Sequence, residues 1–541
     1  MTKNLSSLQG TSISYYYDPN VPILHRVDFT ADATKIGLIG DNGSGKSTLL
    51  KIIAGKLKPT SGTISTGSKP YLMAQDKIPG DERTVAQILD IEQYFVAYDR
   101  LMKGEANASD YTALEGNWSF ASRIEKVRSS WFPSLPLDRR VSDISGGEYA
   151  AIGLAYIELH RPKIVLLDEP SNNLDLAHRQ LLVKLLVDYT ATIIIATHDR
   201  QLLQYVDSIW EMKTGNLTKI EGTYTDYLTM CNVRQSQAEQ RLSSASKEIR
   251  RLNRAVTDLE KRQSRKRDNN RTAASQKRGS KMSMNGLKSR SQASLGHDRA
   301  KLLERKRNAD IARVEAGKEV EKPHNIRLQG FLQTPYAKSQ QILRLLDDTG
   351  WETIIGGDDR VALLGENGVG KSSLIRSISD VQYRNKLRAW AELVHPDNPS
   401  QIAILSQNSL HLCYEKSVWE ELTSSLPEYE KQEVFTILAR LSFNENSSNK
   451  LIKDLSGGER FRVALAEVLL SKPEKRLIIL DEPTNSLDLA SLKATEQMLS
   501  QFSGAILVVS HDLEFLQQIS VNRWIELTSD GLSEFVNPPD Y

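Results

Sequence analysis

The chain has 541 residues, 26% of them charged and 39% hydrophobic. That is an ordinary globular composition on a chain too long for one core, so two to four domains are expected. No apolar run approaches the roughly 18 residues of a membrane span, and the first residues, Met1–Ser7, lack the apolar stretch of a signal peptide. Two cysteines, Cys231 and Cys413, exclude a disulfide framework or a cysteine-built metal cluster, and the whole predicts a cytoplasmic protein. The net charge of +2 is unevenly spread. Residues 232–325 hold 25 Lys+Arg against 11 Asp+Glu, or +14, which leaves −12 for the remainder. Two acidic bodies joined by a basic connector point to a polyanionic partner.

In chain order, Ser12–Tyr17 and Ile23–Phe29 read as strands parted by the turn Asp18-Pro19-Asn20. One of Tyr15 to Tyr17 is a candidate to stack on an adenine ring, against the alternative of a plain surface tyrosine. Apolar Ile36, Leu38 and Ile39 then lead into Gly40, Asp41, Asn42, Gly43, Ser44, Gly45, Lys46, Ser47 and Thr48, a glycine-rich loop of the G-x-x-x-x-G-K-[ST] pattern between a strand and a helix. Glycines let successive N–H groups converge on phosphate oxygens, the following helix adds its positive end, Lys46 reaches the β/γ-phosphates and Ser47 holds Mg²⁺. Gln75 ends the next strand. Ser145, Gly146, Gly147 and Glu148 open a helical stretch at Tyr149–Leu159. Ile164–Leu167 is a buried strand ending in Asp168-Glu169-Pro170, followed by Asn172-Asn173-Leu174-Asp175, and the strand Thr192–Ala196 ends at Thr197-His198-Asp199.

The series then repeats. Gly365, Glu366, Asn367, Gly368, Val369, Gly370, Lys371, Ser372 and Ser373 form the second loop, followed by Gln407, by Ser456, Gly457, Gly458 and Glu459, by Asp481-Glu482-Pro483, by Leu487-Asp488 and by His511. The lysines lie 325 residues apart, the Ser-Gly-Gly-Glu turns 311, and both the carboxylates and the histidines 313. A domain of about 220 residues is duplicated.

The residue types suit ATP hydrolysis. Asp168 and Asp481 at strand ends can coordinate Mg²⁺, Glu169 and Glu482 can orient or deprotonate the attacking water, and His198 and His511 can contact the γ-phosphate. Gln75 and Gln407 can sense metal and water. The phosphate loop, glutamine, Ser-Gly-Gly-Glu turn, Asp-Glu pair, Leu-Asp and histidine, present in both halves, resemble the nucleotide-binding domain of ABC ATPases. Two such domains in one chain with a charged connector and no membrane segment resemble the ABC-F family. The resemblance implies an α/β fold of two tandem ABC-type P-loop domains, 1–231 and 326–541, joined by a long basic helical hairpin at 232–325. It also implies that each Ser-Gly-Gly-Glu turn completes the other domain's site, so that Lys46 shares ATP with Ser456–Gly458 and Lys371 with Ser145–Gly147, an intramolecular dimer with no obligate oligomer. The turn begins with Ile144 where the family usually has leucine, and the segments Ser171–Asp175 and Thr484–Asp488 depart from its usual Thr-Asn-His-Leu-Asp.

Gln75 to Ser145 spans 70 residues and Gln407 to Ser456 only 49. The surplus, near 92–118, is where the family carries an arm that touches a ribosomal protein or rRNA; a longer helical loop with no partner is the alternative. From Leu228 to Gly330 there is no aromatic residue, so the connector cannot build its own core. Gln235–Arg267 and Ala300–Val320 read as outgoing and returning helices around a mobile polar loop, Asn269–Gly296, and a helix of about 40 residues reaches about 60 Å. Arg265, Lys266, Arg267, Arg271, Lys277, Arg278 and Lys281 are the expected phosphate contacts, by backbone and shape rather than base stacking. The resemblance implies ribosome binding near the tRNA exit site, with the connector acting on P-site tRNA and the peptidyl-transferase centre. The role is either protection of the ribosome from antibiotics or housekeeping relief of stalled or idle ribosomes. A transporter ATPase has no use for the +14 connector, and the ABC ATPases of DNA repair insert far longer coiled coils.

Overall fold

The computed structural model describes residues 6–18, 21–75, 80–114, 118–275, 300–317, 326, 328, 340–378, 380–384, 387–394, 401–406, 411–443, 445–485, 487–535 and 537. The first lobe begins with β1 (Leu8–Asp18) and β2 (Val21–Ala31), a hairpin that reaches slightly beyond both predicted strands. Then come β3 (Lys35–Ile39), α1 (Lys46–Ile53), β4 (Ser61–Thr66), β5 (Tyr71–Met73) and the helices α2 (Val85–Ile88), α3 (Glu92–Met102), α4 (Ala108–Leu114), α5 (Trp118–Trp131) and α6 (Gly146–His160). It closes with β6 (Ile164–Asp168), α7 (Leu176–Asp188), β7 (Thr192–Ala196), β8 (Ser208–Lys213) and β9 (Asn216–Glu221). The surplus residues of the first half fall at α3 and α4.

A compact second unit, 225–323, follows. It contains most of α8 (Tyr224–Ser275) and a helix α9 at 300–317. The outgoing helix is longer at both ends than its apolar seam predicts, because exposed polar helix formers extend it without needing a core. Ala238, Ile249, Leu252 and Ala316 are buried, and a Cβ on Gly317 would lie 3.9 Å from Leu242 Cδ1, so α9 returns alongside α8.

The second lobe holds β10 (Gln341–Asp347), β11 (Glu352–Gly356), β12 (Arg360–Leu364), α10 (Lys371–Arg376), α11 (Val381–Arg384), β13 (Ala389–Leu393) and β14 (Ile402–Ser406). The helices α12 (Val418–Ser425), α13 (Lys431–Arg440), α14 (Glu445–Ser448) and α15 (Gly457–Leu470) come next. The lobe ends with β15 (Leu477–Asp481), α16 (Leu489–Ser500), β16 (Ala505–Val509), α17 (Leu513–Gln518), β17 (Arg523–Thr528) and β18 (Gly531–Phe535).

The two lobes share one topology. The first has a six-stranded sheet ordered β5-β6-β7-β3-β8-β9 and the second β14-β15-β16-β12-β17-β18, each beside a three-stranded antiparallel sheet, β2-β1-β4 or β11-β10-β13. The inner strands run parallel, β6 pairing β7 and β7 pairing β3, with only the edge hairpin β8–β9 antiparallel. Uniformly apolar Ile164–Leu167 and Ile193–Ala196 are buried because sheets or helices cover both faces. Between the two sheets of the first lobe lie Leu8, Ile13, Leu24, Phe29, Leu38, Leu49 and Ile194. In the second lobe helices cover the other face, and Leu176 of the first lobe packs against that core. The phosphate loops sit at the C-terminal ends of β3 and β12, in mid-sheet, where open α/β sheets bind ligands.

Candidate functional site

Gly45 and Gly370 precede α1 and α10 with φ of 101° and 114°, left-handed values that a side chain would resist. The loops thus curl their N–H groups inward and deliver the lysines to the interior. Lys46 Nζ donates to Gly40 O at 2.5 Å and Asp41 O at 3.2 Å. Lys371 Nζ donates to Gly365 O at 2.7 Å and Glu366 O at 2.9 Å. Burial lowers the pKa of both ammonium groups, and each closes on its own loop where a triphosphate would offer better acceptors.

The neighbouring strands supply the carboxylates. Ser47 Oγ donates to Asp168 Oδ1 at 3.0 Å, and Ser372 hydrogen-bonds to Asp481 in the second lobe. This pair of hard oxygen donors beside a phosphate loop suits Mg²⁺. Glu169 and Glu482 come next in sequence, with φ of 48° and 47°, anchored by N–H bonds to Ala196 O at 2.8 Å and Val509 O at 2.9 Å. Burial pushes the Glu169 carboxyl up to about 8 and Glu482 up to about 7. His198 Nε2 lies 3.5 Å from Glu169 Oε1, and His511 Nε2 3.5 Å from Glu482 Oε1. Neither histidine finds a hydrogen-bond partner for a ring nitrogen among the described residues. Burial and the nearby lysines push both down to about 3, so they are neutral near pH 7. Buried imidazoles without partners fit a site built for a ligand that supplies them. Gln75 is exposed at the end of β5, and Gln407 lies outside the described residues.

The Ser-Gly-Gly-Glu turns are capping boxes. Ser145 Oγ accepts from Glu148 N at 3.2 Å while Glu148 Oε2 accepts from Ser145 N at 2.7 Å, and Ser456 with Glu459 does the same at 3.2 and 2.9 Å. Both turns are therefore rigid helix starts. The lobes meet head to tail. A Cβ on Gly147 would lie 2.9 Å from Asn367 Nδ2 in the second phosphate loop. Asn367 Nδ2 donates to Asn173 O at 2.5 Å, and Asn367 N to Asp175 Oδ2 at 3.3 Å. In the mirror position Asn42 N donates to Asp488 Oδ2 at 3.4 Å, whereas Gly458 packs on Ser491 within its own lobe.

Two residues that bridge the lobes at the phosphate loops, Asp175 and Asp488, carry no site role in the sequence reading. Their signal was present, since Leu-Asp follows the carboxylate strand in both halves, but it reads as an ordinary helix cap. Of the tyrosines, Tyr17 is largely exposed and Tyr15 packs against the core. Arg265, Lys266, Arg267 and Arg271 lie on α8; Lys277, Arg278 and Lys281 fall outside the described residues.

Two phosphate loops on one chain, each met by the opposite lobe, define a twin ABC ATPase. The chain belongs to the ABC transporter family, whose model matches residues 24–172 and 352–485. Its relatives include the energy-dependent translational throttle protein EttA of Escherichia coli K12, 28% identical over 93% of this chain and 88% of that protein. They also include the erythromycin resistance ATP-binding protein MsrA of Staphylococcus epidermidis, 29% identical over 92% of this chain and 93% of that protein. With such relatives along nearly its whole length, it is an ATPase of the ABC-F type. The fold also matches the RNase-L inhibitor, with a TM-score of 0.51 and 18% identity over 95% of this chain and 87% of that one. Among the described residues no helix is long and apolar enough to cross a membrane.

Proposed function

We propose that this ATPase acts on the ribosome, closing on ATP, engaging ribosomal RNA and P-site tRNA through its basic connector near the tRNA exit site, and leaving after hydrolysis. The observation that carries the reading is the reciprocal seating of Asp175 at Asn367 and Asp488 at Asn42. Two acidic lobes are already aligned so that bound nucleotide would bridge them, a population shift from open to closed. Lys46 and Lys371 release their loop carbonyls to hold β/γ-phosphate oxygens, and the turns Ser145–Gly147 and Ser456–Gly458 offer N–H groups to the same phosphates from the opposite lobe. Ser47 with Asp168 and Ser372 with Asp481, together with Gln75 and Gln407, would hold Mg²⁺, which would supply positive charge to offset that of the phosphates. Glu169 and Glu482 orient the attacking water and accept its proton. Neutral His198 and His511 donate an N–H to the γ-phosphate.

The double variant Glu169→Gln, Glu482→Gln is expected to bind ATP, hydrolyse it at least a hundredfold more slowly in the manner of a lost general base (about 10²–10⁴), and pellet with ribosomes. A doubly substituted protein that stays in the supernatant with ATP present would overturn this reading.

For the biological role we propose ribosome protection against antibiotics bound at the peptidyl-transferase centre or exit tunnel, in line with the MsrA likeness. The EttA likeness supports a second reading, a housekeeping factor that relieves stalled or idle ribosomes. Expression in a susceptible host separates them: a raised inhibitory concentration for a lincosamide, pleuromutilin, macrolide or phenicol supports protection, and no shift for any supports housekeeping.

A further inference from the structure

The two lobes differ at one position that touches both the end of α5 and the lobe interface. His178, in the first turn of α7, has its Nδ1 2.6 Å from Asp175 Oδ1 and its Nε2 2.8 Å from the Trp131 carbonyl oxygen. A carbonyl oxygen only accepts, and an ionised carboxylate only accepts, so both ring nitrogens must donate. That requires the imidazolium. Asp175 in turn accepts the N–H of His178 at 3.0 Å and, through its other oxygen, the N–H of Asn367 in the second phosphate loop at 3.3 Å. A charged ring thus spans from the end of α5 to the turn that meets the opposite lobe.

Trp131 makes the junction firmer. It is 1% exposed and its indole N–H donates to Glu158 Oε2 on α6 at 2.6 Å. The last residue of α5 therefore holds both helices whose N-termini the first lobe turns toward the Lys371 loop, α6 starting at Ser145 and α7 at Asp175. In the second lobe the corresponding residue is Ser491, 313 positions on. Its N–H donates to the capping Asp488 Oδ1 at 2.8 Å and its hydroxyl rests against Gly458. Ser491 itself supplies neither a ring nor a charge.

We propose that His178 is a positioning residue of the Lys371 site alone: as an imidazolium it fastens Asp175, and through it the second phosphate loop, to the end of α5. The inference rests on the reading that Lys46 and Lys371 hold phosphates. Nucleotide held by Lys371 then depends on the protonation of His178 and on the placement of α5, whereas nucleotide held by Lys46 depends on neither. The groups facing the ring are Asp175 from its own helix start, the Trp131 carbonyl and indole from α5, and Glu366 from the second phosphate loop. The hydrogen bond to Asp175 raises the His178 pKa from its ordinary 6.5; burial opposes that, and the other two add to it. The link is therefore intact at low pH and is lost as pH rises through that raised value, when one N–H disappears.

Binding of mant-ATP, measured between pH 6.5 and 9 in Lys46→Ala protein, isolates the Lys371 site; Lys371→Ala protein isolates the other. In the first, Kd is expected to rise about fivefold across the range, the scale of a modest site-to-site coupling. With His178→Ser added it is weak from the lowest pH on and rises less steeply, keeping only the change due to Glu482. In the second, His178→Ser changes Kd by less than twofold at every pH. A His178→Ser effect of equal size at both sites, or an unchanged pH curve at the Lys371 site, overturns the proposal. A ¹H–¹³C imidazole titration, with the His178 signal identified by its loss in His178→Ser, is expected to show a midpoint above 6.5; a midpoint at or below it also overturns the proposal. The double variant Lys46→Ala, Lys371→Ala, expected to bind no mant-ATP, checks the phosphate-loop assignment separately, and the imidazole titration decides for His178 even if that control fails.

Discussion

Glu169 and Glu482 hold left-handed backbone conformations at matching positions in both lobes, which cost a non-glycine residue about 1–3 kcal/mol. Each is pinned by its own N–H to the neighbouring strand, so the strain is held by the sheet and aims the carboxylate across the phosphate loop. Burial adds a second cost, raising Glu169 from an ordinary 4.5 to about 8. Between those values the folded protein holds a proton that the unfolded chain has released, so stability falls as pH rises from 4.5 to 8. Glutamine has the same shape and nothing to ionise. Glu169→Gln should therefore stabilise the nucleotide-free protein by about 2 kcal/mol at pH 8.5 and by almost nothing at pH 4.5, the order expected for one buried ionisable group. Thermal unfolding at the two pH values checks this, and an equal change at both would place the gain elsewhere.

At the scale of elements, the turn after β7 and the helix α16 are tied across the lobes. Arg200 Nη1 lies 3.0 Å from both Glu496 Oε1 and Glu514 Oε1, with the Arg200 and Glu496 side chains only 14% and 9% exposed. The pseudo-symmetric positions are Leu513, Val183 and Gln201, so only one edge of the interface carries the ion pair. Breaking one member of a buried pair strands its partner, while replacing both by apolar groups is often neutral. Arg200→Leu alone should destabilise by about 3 kcal/mol, and Arg200→Leu with Glu496→Val should return to within about 1 kcal/mol of the parent. Urea unfolding of the three proteins decides it; a double variant no better than the single would show that the charge is not what matters.

The same elements show what the sequence made legible. Apolar runs such as Ile164–Leu167 and the motif series that follows each phosphate loop specify the parallel sheets, since few other arrangements bury such strands and leave Asp168 and His198 at adjacent ends. The extra helices α3 and α4 were visible as surplus length between Gln75 and Ser145. The cross-lobe partners were not, because a capping Asp175 or an Arg200 in a turn looks the same whether its free side faces water or another lobe. The left-handed Glu169 was equally hidden, since nothing in Asp-Glu-Pro distinguishes a strained glutamate from a relaxed one.

For the whole molecule, charge decides how a polyanion can be approached. The lobes together carry −12 and the connector +14, so the lobes repel RNA phosphates while 232–325 attracts them, and any affinity for the ribosome must be carried by the connector in proportion to the phosphates it neutralises. Each neutralised phosphate steepens the fall of log K with log salt by about 0.7–0.9. Replacing Arg265, Lys266, Arg267, Arg271, Lys277, Arg278 and Lys281 by glutamine should therefore weaken ATP-dependent association in the hydrolysis-deficient protein and flatten that slope by up to about 5 if all seven touch RNA. Co-sedimentation with ribosomes from 50 to 300 mM KCl, conditions bracketing a Debye length of about 10 Å, measures both quantities. ATPase activity without ribosomes serves as the internal standard, because none of the seven belongs to a nucleotide-binding motif of the sequence. A slope unchanged by seven neutralised charges, with association intact, would mean that the ribosome is held by the acidic lobes through protein contacts, and the connector would then need a different explanation for its charge.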